Sequence, residues 1–417
     1  MKIRQLSIFE FDKFALSHPL SSYYQTSNYA LFQSEQGNDY DLIGLVNEKN
    51  EIIAASLIVI KKINIFFSYG YAPRGFLMNY YDEAIIKEFT TKLKKHYYNK
   101  NVAFIKVNPE IEIGQIDFKK QSITYNRNRN ITNTLKKYNF KKLSGNKLFE
   151  TKLPNYNAIT ILKEYNFKNL PKNARNKIHK GENSGIYIEK GKRDDIRTLY
   201  ELFKLKKDRP LSYYINYYNA FSKNDNIDIF LLKIDFEKCL INLREKYEKE
   251  LELNNKLNDK VLSNNTPDVL RRKMTSDKNL NDYNQNIAIA TQNLAKQKEL
   301  IIGGAITIKH KNRINIMISS YNKQFKHYSP NYYLHHAIIE YYKNDYDFID
   351  LNGITGDFSK ENPYKGLNEF KQGFNPLSFE YIGEYDFIIN PGLYKSMEEN
   401  GILAKEFNKK TKKNINH

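Results

Sequence analysis

Residues 41–62, DLIGLVNEKNEIIAASLIVIKK, contain two apolar runs separated by a polar turn. Each run has the length of a β-strand, and the Asn, Glu and Lys residues between them favour a tight connection. The second run is continuously apolar, a pattern typical of a strand in the buried centre of a sheet. This stretch therefore predicts two neighbouring strands of one sheet.

The segments that follow extend these strands into a mixed sheet with helices. FFSYGYAPRGFLM, residues 66–78, adds a strand and a loop that carries Arg74 and Gly75. Helical spacing then runs over residues 82–99, and NVAFIKVNPE, residues 101–110, returns to the strand pattern. The first part of the chain is therefore predicted to be α+β.

A similar order of elements recurs after a basic stretch, LPKNARNKIHKGENSGIYIEKG, at residues 170–191. Helices are predicted at 193–207, 211–223 and 330–343, and strands in 227–235, 303–319 and 346–354. Two α+β halves of similar size and order suggest an ancient duplication. The length of 417 residues also favours two domains, because single cores rarely grow to that size.

Residues 235–301 differ from their surroundings in being rich in Glu, Lys, Leu, Asn and Gln. A heptad pattern runs through Leu280, Tyr283, Ile287, Ala290, Leu294, Gln297 and Ile301. An earlier arm keeps the pattern at Phe236, Leu240, Leu243 and Tyr247, and is then interrupted at Glu250 and Asn254. Because Pro267 separates the arms, the segment is predicted to form an antiparallel coiled-coil hairpin. The alternative interpretation is a polar, disordered insertion.

The chain carries 66 Lys and Arg residues against 47 Asp and Glu residues, a formal net charge of +19. This excess favours a polyanionic partner, namely a nucleic acid, a nucleotide diphosphate or an anionic membrane surface, although it also serves solubility. A single cysteine, Cys239, excludes an internal disulfide and any multi-cysteine metal site. No run approaches the ~18 apolar residues of a spanning helix, so we expect a cytoplasmic protein with at most peripheral membrane contact.

Several common catalytic motifs do not occur in the sequence. It contains no P-loop, no Rossmann glycine fingerprint, no zinc-ligand spacing and no Gly-x-Ser-x-Gly elbow. His335 and His336 are adjacent on a predicted helix, where their side chains diverge by about 100°, so structural roles are favoured over a metal site. The α+β halves fit acetyltransferase folds, but the glycine-containing loop that binds the pyrophosphate of acyl-CoA is missing.

Nine segments follow one another along the chain: QTSNYALF, EIIAASLIVI, YAPRGFLM, FIKVNPEI, RNRNIT, LPKNARNKIHKG, DRPLSYYINYY, DLNGITGDF and EFKQGFNPLSFEYIGEYD. In this order they resemble the Fem family of aminoacyl-tRNA-dependent peptidyltransferases, which build the interpeptide bridges of bacterial peptidoglycan. The resemblance covers nearly the whole chain. It implies two acetyltransferase-like domains of the GNAT type in tandem, with a coiled-coil arm inserted in the second. The implied boundaries are 1–151 plus 382–417, 152–381, and 235–301 for the arm.

The resemblance also implies a reaction. An amino acid, Gly, Ala or Ser, would move from aminoacyl-tRNA to the stem-peptide amino group of lipid II or of a nucleotide-linked muropeptide. Because the aminoacyl ester is already activated, the reaction needs neither a cofactor nor a metal. The expected protein is a monomer or homodimer, cytoplasmic or peripheral at the inner membrane face. The alternatives are an acyl-CoA-dependent N-acetyltransferase and a non-catalytic tRNA-binding module.

Positions that match the family's motifs give the candidate catalytic site. Phe370 and Lys371 occupy the family's Phe-Lys positions, where the lysine is implicated in stabilising charge on the reacting acyl group. The neighbouring phenylalanines predict a half-buried strand around Lys371. Arg209 and Tyr213 match a pair associated with the nucleotide-linked acceptor, and Glu384 stands where the family has an acidic residue near the catalytic cleft. Either Glu384 or Glu380 is expected to hold the lysine or to orient the acceptor amine.

Three positions depart from the family pattern. Asn108 replaces an aspartate of several members and cannot act as a base. Gln33 takes the place of an early lysine that helps to hold uridine diphosphate in one branch, and Ile318 takes the place of a tyrosine. The basic run Lys172, Arg175, Lys177 and Lys180 is expected to contact the tRNA backbone or a lipid-linked diphosphate, or else to be a solvated helix face.

Overall fold

The computed structural model describes residues 1–143 and 152–403. The predicted boundary at residue 151 and residues 404–417 of the predicted first domain lie outside the described residues. The strands are β1 (Lys2–Gln5), β2 (Asp39–Val46), β3 (Ile52–Lys62), β4 (Ser68–Ala72), β5 (Val102–Val107), β6 (Glu112–Asp117), β7 (Ser122–Tyr125), β8 (Phe140–Lys142), β9 (Tyr156–Ile161), β10 (Ile186–Gly191), β11 (Ile227–Asp235), β12 (Glu299–His310), β13 (Arg313–Tyr321), β14 (Phe348–Gly353), β15 (Leu377–Tyr381) and β16 (Tyr385–Ile388). The helices are α1 (Ile8–Ser17), α2 (Ser27–Glu35), α3 (Glu83–Tyr98), α4 (Ile131–Lys137), α5 (Lys172–Glu182), α6 (Asp195–Phe203), α7 (Leu211–Ser222), α8 (Phe236–Ser263), α9 (Pro267–Leu294), α10 (Pro330–Tyr342), α11 (Lys365–Gln372) and α12 (Pro391–Glu399).

The first sheet has the strand order β1-β2-β3-β4-β5-β16-β8. Its β2 and β3 are the antiparallel pair predicted from residues 41–62, and side chains 54–59 of β3 are buried. Helix α3 begins where Asp82 accepts hydrogen bonds from the backbone N–H groups of Ala84 and Ile85. Strand β16 pairs with β5, so a C-terminal segment returns to the first sheet.

The second sheet has the order β10-β11-β12-β13-β14-β9-β15-β6-β7. Strands β6 and β7 precede residue 144 in the chain, yet β6 pairs with β15 and so extends this sheet. Residues 303–319, expected as one strand, form parts of β12 and β13, because Lys311 turns the chain with a φ of 54°. The domain boundaries implied by the sequence stay a prediction.

An apolar cluster joins the two halves of the chain. Helix α2 packs against α7, and the ring of Phe32 lies 5.1 Å from that of Tyr213 and 4.2 Å from that of Tyr217. Ile318, at the position of the family tyrosine, is buried in the same cluster. The two sheets are therefore held together by shared aromatic packing as well as by the chain.

Helices α8 and α9 form the predicted antiparallel hairpin, each 28 residues long and thus about 42 Å. The apolar residues at its base, among them Leu240 and Ala290, join the core of the second sheet. The heptad pattern extends past the real helix, because α9 ends at Leu294 and Ile301 lies in β12. The predicted hairpin is confirmed, but the prediction that Gln297 and Ile301 continue its heptad pattern is wrong.

The segment around Lys371 is helical, so the predicted strand is wrong. Phe370 and Lys371 lie in α11, which ends at Gln372, and Phe374 follows two residues later. Both rings pack around His335, at centroid distances of 4.8 and 5.8 Å. Two phenylalanines near a lysine are compatible with either a strand or a helix. In the folded protein, the packing of their rings against α10 favours the helix.

Candidate active site

A cleft opens between the two sheets, beyond the ends of β4 and β5. Residues of both halves line it, including Tyr24, Arg74, Glu110, Asn157, Asp350 and Asn352. Because sequence-distant polar side chains converge here, this cleft is the candidate active site.

A chain of alternating charges crosses the cleft from one sheet to the other. Arg74 Nε lies 3.2 Å from Glu110 Oε1, and Arg313 donates to Glu110 Oε2 at 2.8 Å and to Asp350 Oδ2. Burial alone would raise the pKa of Glu110, but the guanidinium groups of Arg313 and Arg74 lower it below its usual value. Glu110 is therefore the anion that joins two buried cations.

Asp350 is held by neutral donors as well. The Nδ2 group of Asn157 donates to both of its carboxylate oxygens, at 2.9 and 2.8 Å, and the backbone N–H of Asn352 donates at 2.7 Å. Asn352 has a left-handed φ of 71°, which brings the end of β14 round toward the cleft. Asp350 thus fixes the backbone that leads to Gly353.

Lys371 reaches this same backbone from α11. Its Nζ donates to the carbonyl oxygen of Gly353 at 2.5 Å, and the side chain is buried. Burial, with a smaller contribution from Lys206, lowers the pKa of Lys371 from its usual 10.5 to about 7. Lys371 is therefore poised to change its charge near neutral pH, as groups in active sites often do.

Phe370, the neighbour of Lys371, is largely enclosed. Its ring makes edge contacts with Tyr332 at 4.9 Å and His335 at 4.8 Å. Lys177 of α5 places its ammonium 4.6 Å from the ring centre of the same Tyr332. The packing of Phe370 therefore connects the Lys371 helix to the basic helix α5.

Arg209, Tyr213 and Gln33 lie on or next to the packed helices α2 and α7, and they are not among the residues that line the cleft. The Arg209 guanidinium stacks 4.1 Å above the Tyr213 ring. The Oε1 atom of Gln33 accepts a hydrogen bond from Lys61 Nζ at 3.2 Å. Although burial raises the pKa of Tyr24, the charges of Arg74 and Arg209 oppose that rise. Tyr24, which lines the cleft, is therefore close enough to Arg209 to be influenced by its charge. At Gln33, the nearby positive charge is that of Lys61.

Asn108 supports the cleft through Arg74. Its Oδ1 accepts the backbone N–H of Arg74 at 2.9 Å, where Arg74 has a left-handed φ of 54°. Within residues 1–143 and 152–403, the buried Nδ2 of Asn108 has no hydrogen-bond partner. That N–H group is a buried donor directly behind the Arg74 backbone.

Glu384 belongs to a separate buried cluster in the first sheet. It is fully buried, and its Oε1 lies 3.1 Å from Lys106 Nζ, which also contacts Asp386 at 2.8 Å. Burial alone would lower the pKa of Lys106, but the two carboxylates raise it above its usual value. The lysine that contacts Glu384 is therefore Lys106, not Lys371.

The predicted basic helix is α5, which begins just after Pro171. Lys172 and Lys180 are exposed, whereas Arg175 and Lys177 are partly buried. Through Lys177 and Tyr332, this basic face adjoins the helix that carries Lys371.

Sequence reasoning did not select Glu110, Arg313 or Asp350, and left Arg74 outside the leading candidates. Arg74, Glu110 and Asp350 lie in the quoted segments YAPRGFLM, FIKVNPEI and DLNGITGDF. The sequence contains a pattern that could have identified these three residues, because each of them is charged and lies in or just after an apolar strand. Their mutual contacts depend on how the two sheets meet, which local patterns do not encode.

This chain is similar to known proteins over nearly its whole length. The model of the FemAB family matches residues 6–400. The lipid II:glycine glycyltransferase of Staphylococcus haemolyticus is 23% identical over 406 residues, covering 94% of this chain and 93% of that protein. The enzyme of the same name from Staphylococcus aureus is 21% identical over 414 residues, with 94% and 93% covered. The crystal structure of FemX superposes with a TM-score of 0.71 at 19% identity, covering 95% of this chain and 100% of that one, which shows a shared fold.

Proposed function

The chain belongs to the FemAB family, and we propose from this membership that it transfers an amino acid from aminoacyl-tRNA to the stem-peptide amino group of a peptidoglycan precursor. The observation that carries the proposal is similarity over nearly the full length of proteins named lipid II:glycine glycyltransferase. Because those relatives are named for glycine and lipid II, we infer glycine as the first amino acid to test and lipid II as the first acceptor.

In this reaction, the acceptor amine attacks the ester carbonyl of the aminoacyl-tRNA. A C–N bond forms, the C–O bond to the terminal ribose breaks, the amine loses a proton and the ribose hydroxyl gains one. The tetrahedral intermediate carries a negative oxygen, which a fixed cation stabilises. We assign that role to Lys371, whose ammonium is buried and directed at the backbone beside Asp350.

The other candidate residues bind and orient the substrates or support the cleft in this proposal. Arg209 stacks on Tyr213, which leaves the guanidinium edge free to pair with a diphosphate. Asn108 holds the Arg74 backbone beside the cleft through its Oδ1 atom. Phe370 keeps the Lys371 helix in place, and the exposed lysines of α5 contact the tRNA backbone.

We place the reaction in the cytoplasm or at the inner membrane face, where aminoacyl-tRNA is available. No helix in residues 1–143 or 152–403 has the length and apolar character needed to cross a bilayer. A lipid-linked acceptor would then have to be met at the membrane surface.

A transfer assay tests the proposal. The purified protein is incubated with tRNAs charged with labelled Gly, Ala or Ser, and with either lipid II or its soluble nucleotide-linked precursor. We expect one charged tRNA to yield a muropeptide heavier by one residue, identified by mass spectrometry, and uncharged tRNA to yield none. Acetylation by acetyl-CoA, or tRNA binding without turnover under every condition, would contradict the proposal.

A further inference from the structure

The hairpin between β3 and β4 presents two apolar side chains to solvent. Ile65 is 89% exposed and Phe66 67% exposed, values among the highest for large apolar residues in the described chain. The side chain of Asn64 accepts the backbone N–H groups of Phe66 and Phe67, both at 2.8 Å. A turn closed in this way holds Ile65 and Phe66 outward as a preformed tip.

The base of this tip is firmly packed. Ile63 donates its backbone N–H to the carbonyl of Phe67 at 2.9 Å, which closes the hairpin. The side chains of Ile63 and Phe67 point into an apolar cluster that also contains Leu393 and Leu403. The exposed pair therefore projects from a fixed support, and adjacent apolar residues are already covered.

Two exposed lysines lie on the strand end and the loop next to the tip. Lys62 is exposed at the end of β3, and Lys100 is exposed in the loop whose Asn101 carbonyl accepts the N–H of Ser68 at 3.2 Å. Lys62 and Lys100 thus place two ammonium groups beside the projecting apolar side chains, and the Nζ of Lys100 also lies 3.4 Å from Asp41 Oδ2.

We propose that this surface, formed by Ile65 and Phe66 with Lys62 and Lys100, docks the protein onto a bilayer with anionic headgroups. The two apolar side chains enter the interface, and the lysines remain at headgroup level. The inference rests on the surface alone and fits the lipid-linked acceptor of the proposed function. A protein partner or a second copy is a poorer match, because two projecting side chains fall far short of the roughly 800 Å² per partner of a stable interface.

Vesicle binding by the full chain tests this proposal. Sedimentation is measured with phosphatidylcholine vesicles and with vesicles of phosphatidylcholine mixed with phosphatidylglycerol. We expect binding to the mixed vesicles only, weakened by added salt. The double variant Ile65→Ser with Phe66→Ser should bind the mixed vesicles at least about tenfold more weakly, because the apolar contribution to partitioning is lost.

The helical hairpin provides a matched control. Leu262 and Met274 are 87% and 71% exposed, close to the values at the tip, and the double variant Leu262→Ser with Met274→Ser should bind as the wild type does. Loss of binding in this control, or unchanged binding in the tip variant, would overturn the proposal. A changed oligomeric state of the tip variant in sedimentation velocity would overturn it too, because the tip would then be an interface between copies.

The test is separable from the proposed function. Transfer to the soluble nucleotide-linked precursor should be the same in the tip variant and the wild type, whereas transfer to lipid II in anionic vesicles should fall. A tip variant that loses transfer to the soluble precursor as well would contradict the docking role, since neither residue lies in the cleft.

Discussion

At the scale of single residues, the burial of Lys371 has two opposite consequences. A cation removed from water is costly to keep charged, which is why its pKa falls to about 7. The same low-polarity surroundings make the remaining charge more effective toward a developing oxyanion. The residue is therefore expected to limit activity at alkaline pH, where its charge is lost.

We predict that transfer by the wild type declines as pH rises through about 7, the pKa of Lys371. Lys371→Arg should extend activity to higher pH, because an arginine remains charged there, although its maximum rate will be lower. Below pH 7, where the wild-type lysine is charged, Lys371→Met should lose roughly 2.7–4 kcal/mol of transition-state stabilisation, about a hundredfold or more in rate, and this difference should shrink at higher pH. The measurement is the pH profile of single-turnover transfer. The acceptor amine must be neutral to attack, so its protonation should lower the transfer rate on the acidic side of the same pH profile.

Stability provides the control for this series. Below pH 7 Lys371 is protonated in both the folded and the unfolded chain, so folding carries the full cost of burying the charge. Between pH 7 and 10.5 Lys371 is mostly neutral in the folded chain but still protonated in the unfolded chain, so the free energy of unfolding rises with pH. Lys371→Met should therefore unfold at a higher urea concentration than the wild type at pH 6. A Met variant with the wild-type transfer rate would exclude the oxyanion role. A wild-type rate that rises through pH 7, with an inactive Arg variant, would instead identify Lys371 as a base.

At the scale of secondary structure, the α8–α9 hairpin shows how a polar residue is accommodated in an apolar seam. Asn254, which interrupts the heptads in the sequence, is buried and donates to Ser276 Oγ at 3.2 Å and to Asp277 Oδ1 at 2.8 Å. Leu257, one turn further along, is buried in the same seam. A polar pair at one level of a seam fixes which residues face each other.

We predict that Asn254→Ala destabilises the outer part of the hairpin by roughly 1–3 kcal/mol, because Ser276 loses a partner while remaining buried. Hydrogen exchange of the backbone amides should accelerate in α8 and α9 around these residues, and stay unchanged in the two sheets. Lys256→Ala is the matched control, since Lys256 is exposed on the same helix. Equal exchange rates in the Asn254 variant and the control would show that the polar pair carries no stability.

The elements themselves were largely predictable from the sequence. The strand expected at 227–235 is β11, Ile227–Asp235, because a long apolar run fits a central strand. The expected second helix, 211–223, is α7, Leu211–Ser222. The helix expected at 193–207 is shorter, and ends at Phe203. Around Lys371 the pattern was too short to separate helix from strand, and contacts with α10 determine the outcome.

At the scale of the whole molecule, the cleft depends on contacts between the two sheets. The resemblance to the Fem family, recognised from nine short segments, is confirmed by the match over residues 6–400. The pairing of Glu110 with Arg74 and Arg313 was not predictable, because two of these residues lie in loops of the first half of the chain and the third begins β13, and they meet only in the folded protein. Family motifs can direct attention to a segment, whereas the ion pairs that shape a cleft require the relative position of the sheets.

Removing the charge of Glu110 tests whether these ion pairs hold the two sheets together. Glu110→Gln removes the anion between two buried guanidinium groups, whose contacts with Glu110 span 3.2 and 2.8 Å. Loss of one partner of a buried ion pair costs roughly 3–5 kcal/mol, so we expect a clearly lower urea midpoint at pH 7. Because the pKa of Glu110 is lowered in the folded state, its contribution is complete above its usual value of 4.5 and is lost as pH falls through the folded pKa. The difference between variant and wild type should therefore shrink in acid.

Glu112→Gln supplies the matched control, two residues further along the chain. Burial raises the pKa of Glu112, so its charge is unfavourable in the folded protein and removing it should not lower stability. If Glu110→Gln and Glu112→Gln unfold at the same urea concentration, the charges across the cleft do not hold the two sheets together. If only Glu110→Gln is destabilised, and transfer activity falls with the same pH dependence as stability, the ion pairs both join the sheets and maintain the cleft in which the substrates meet.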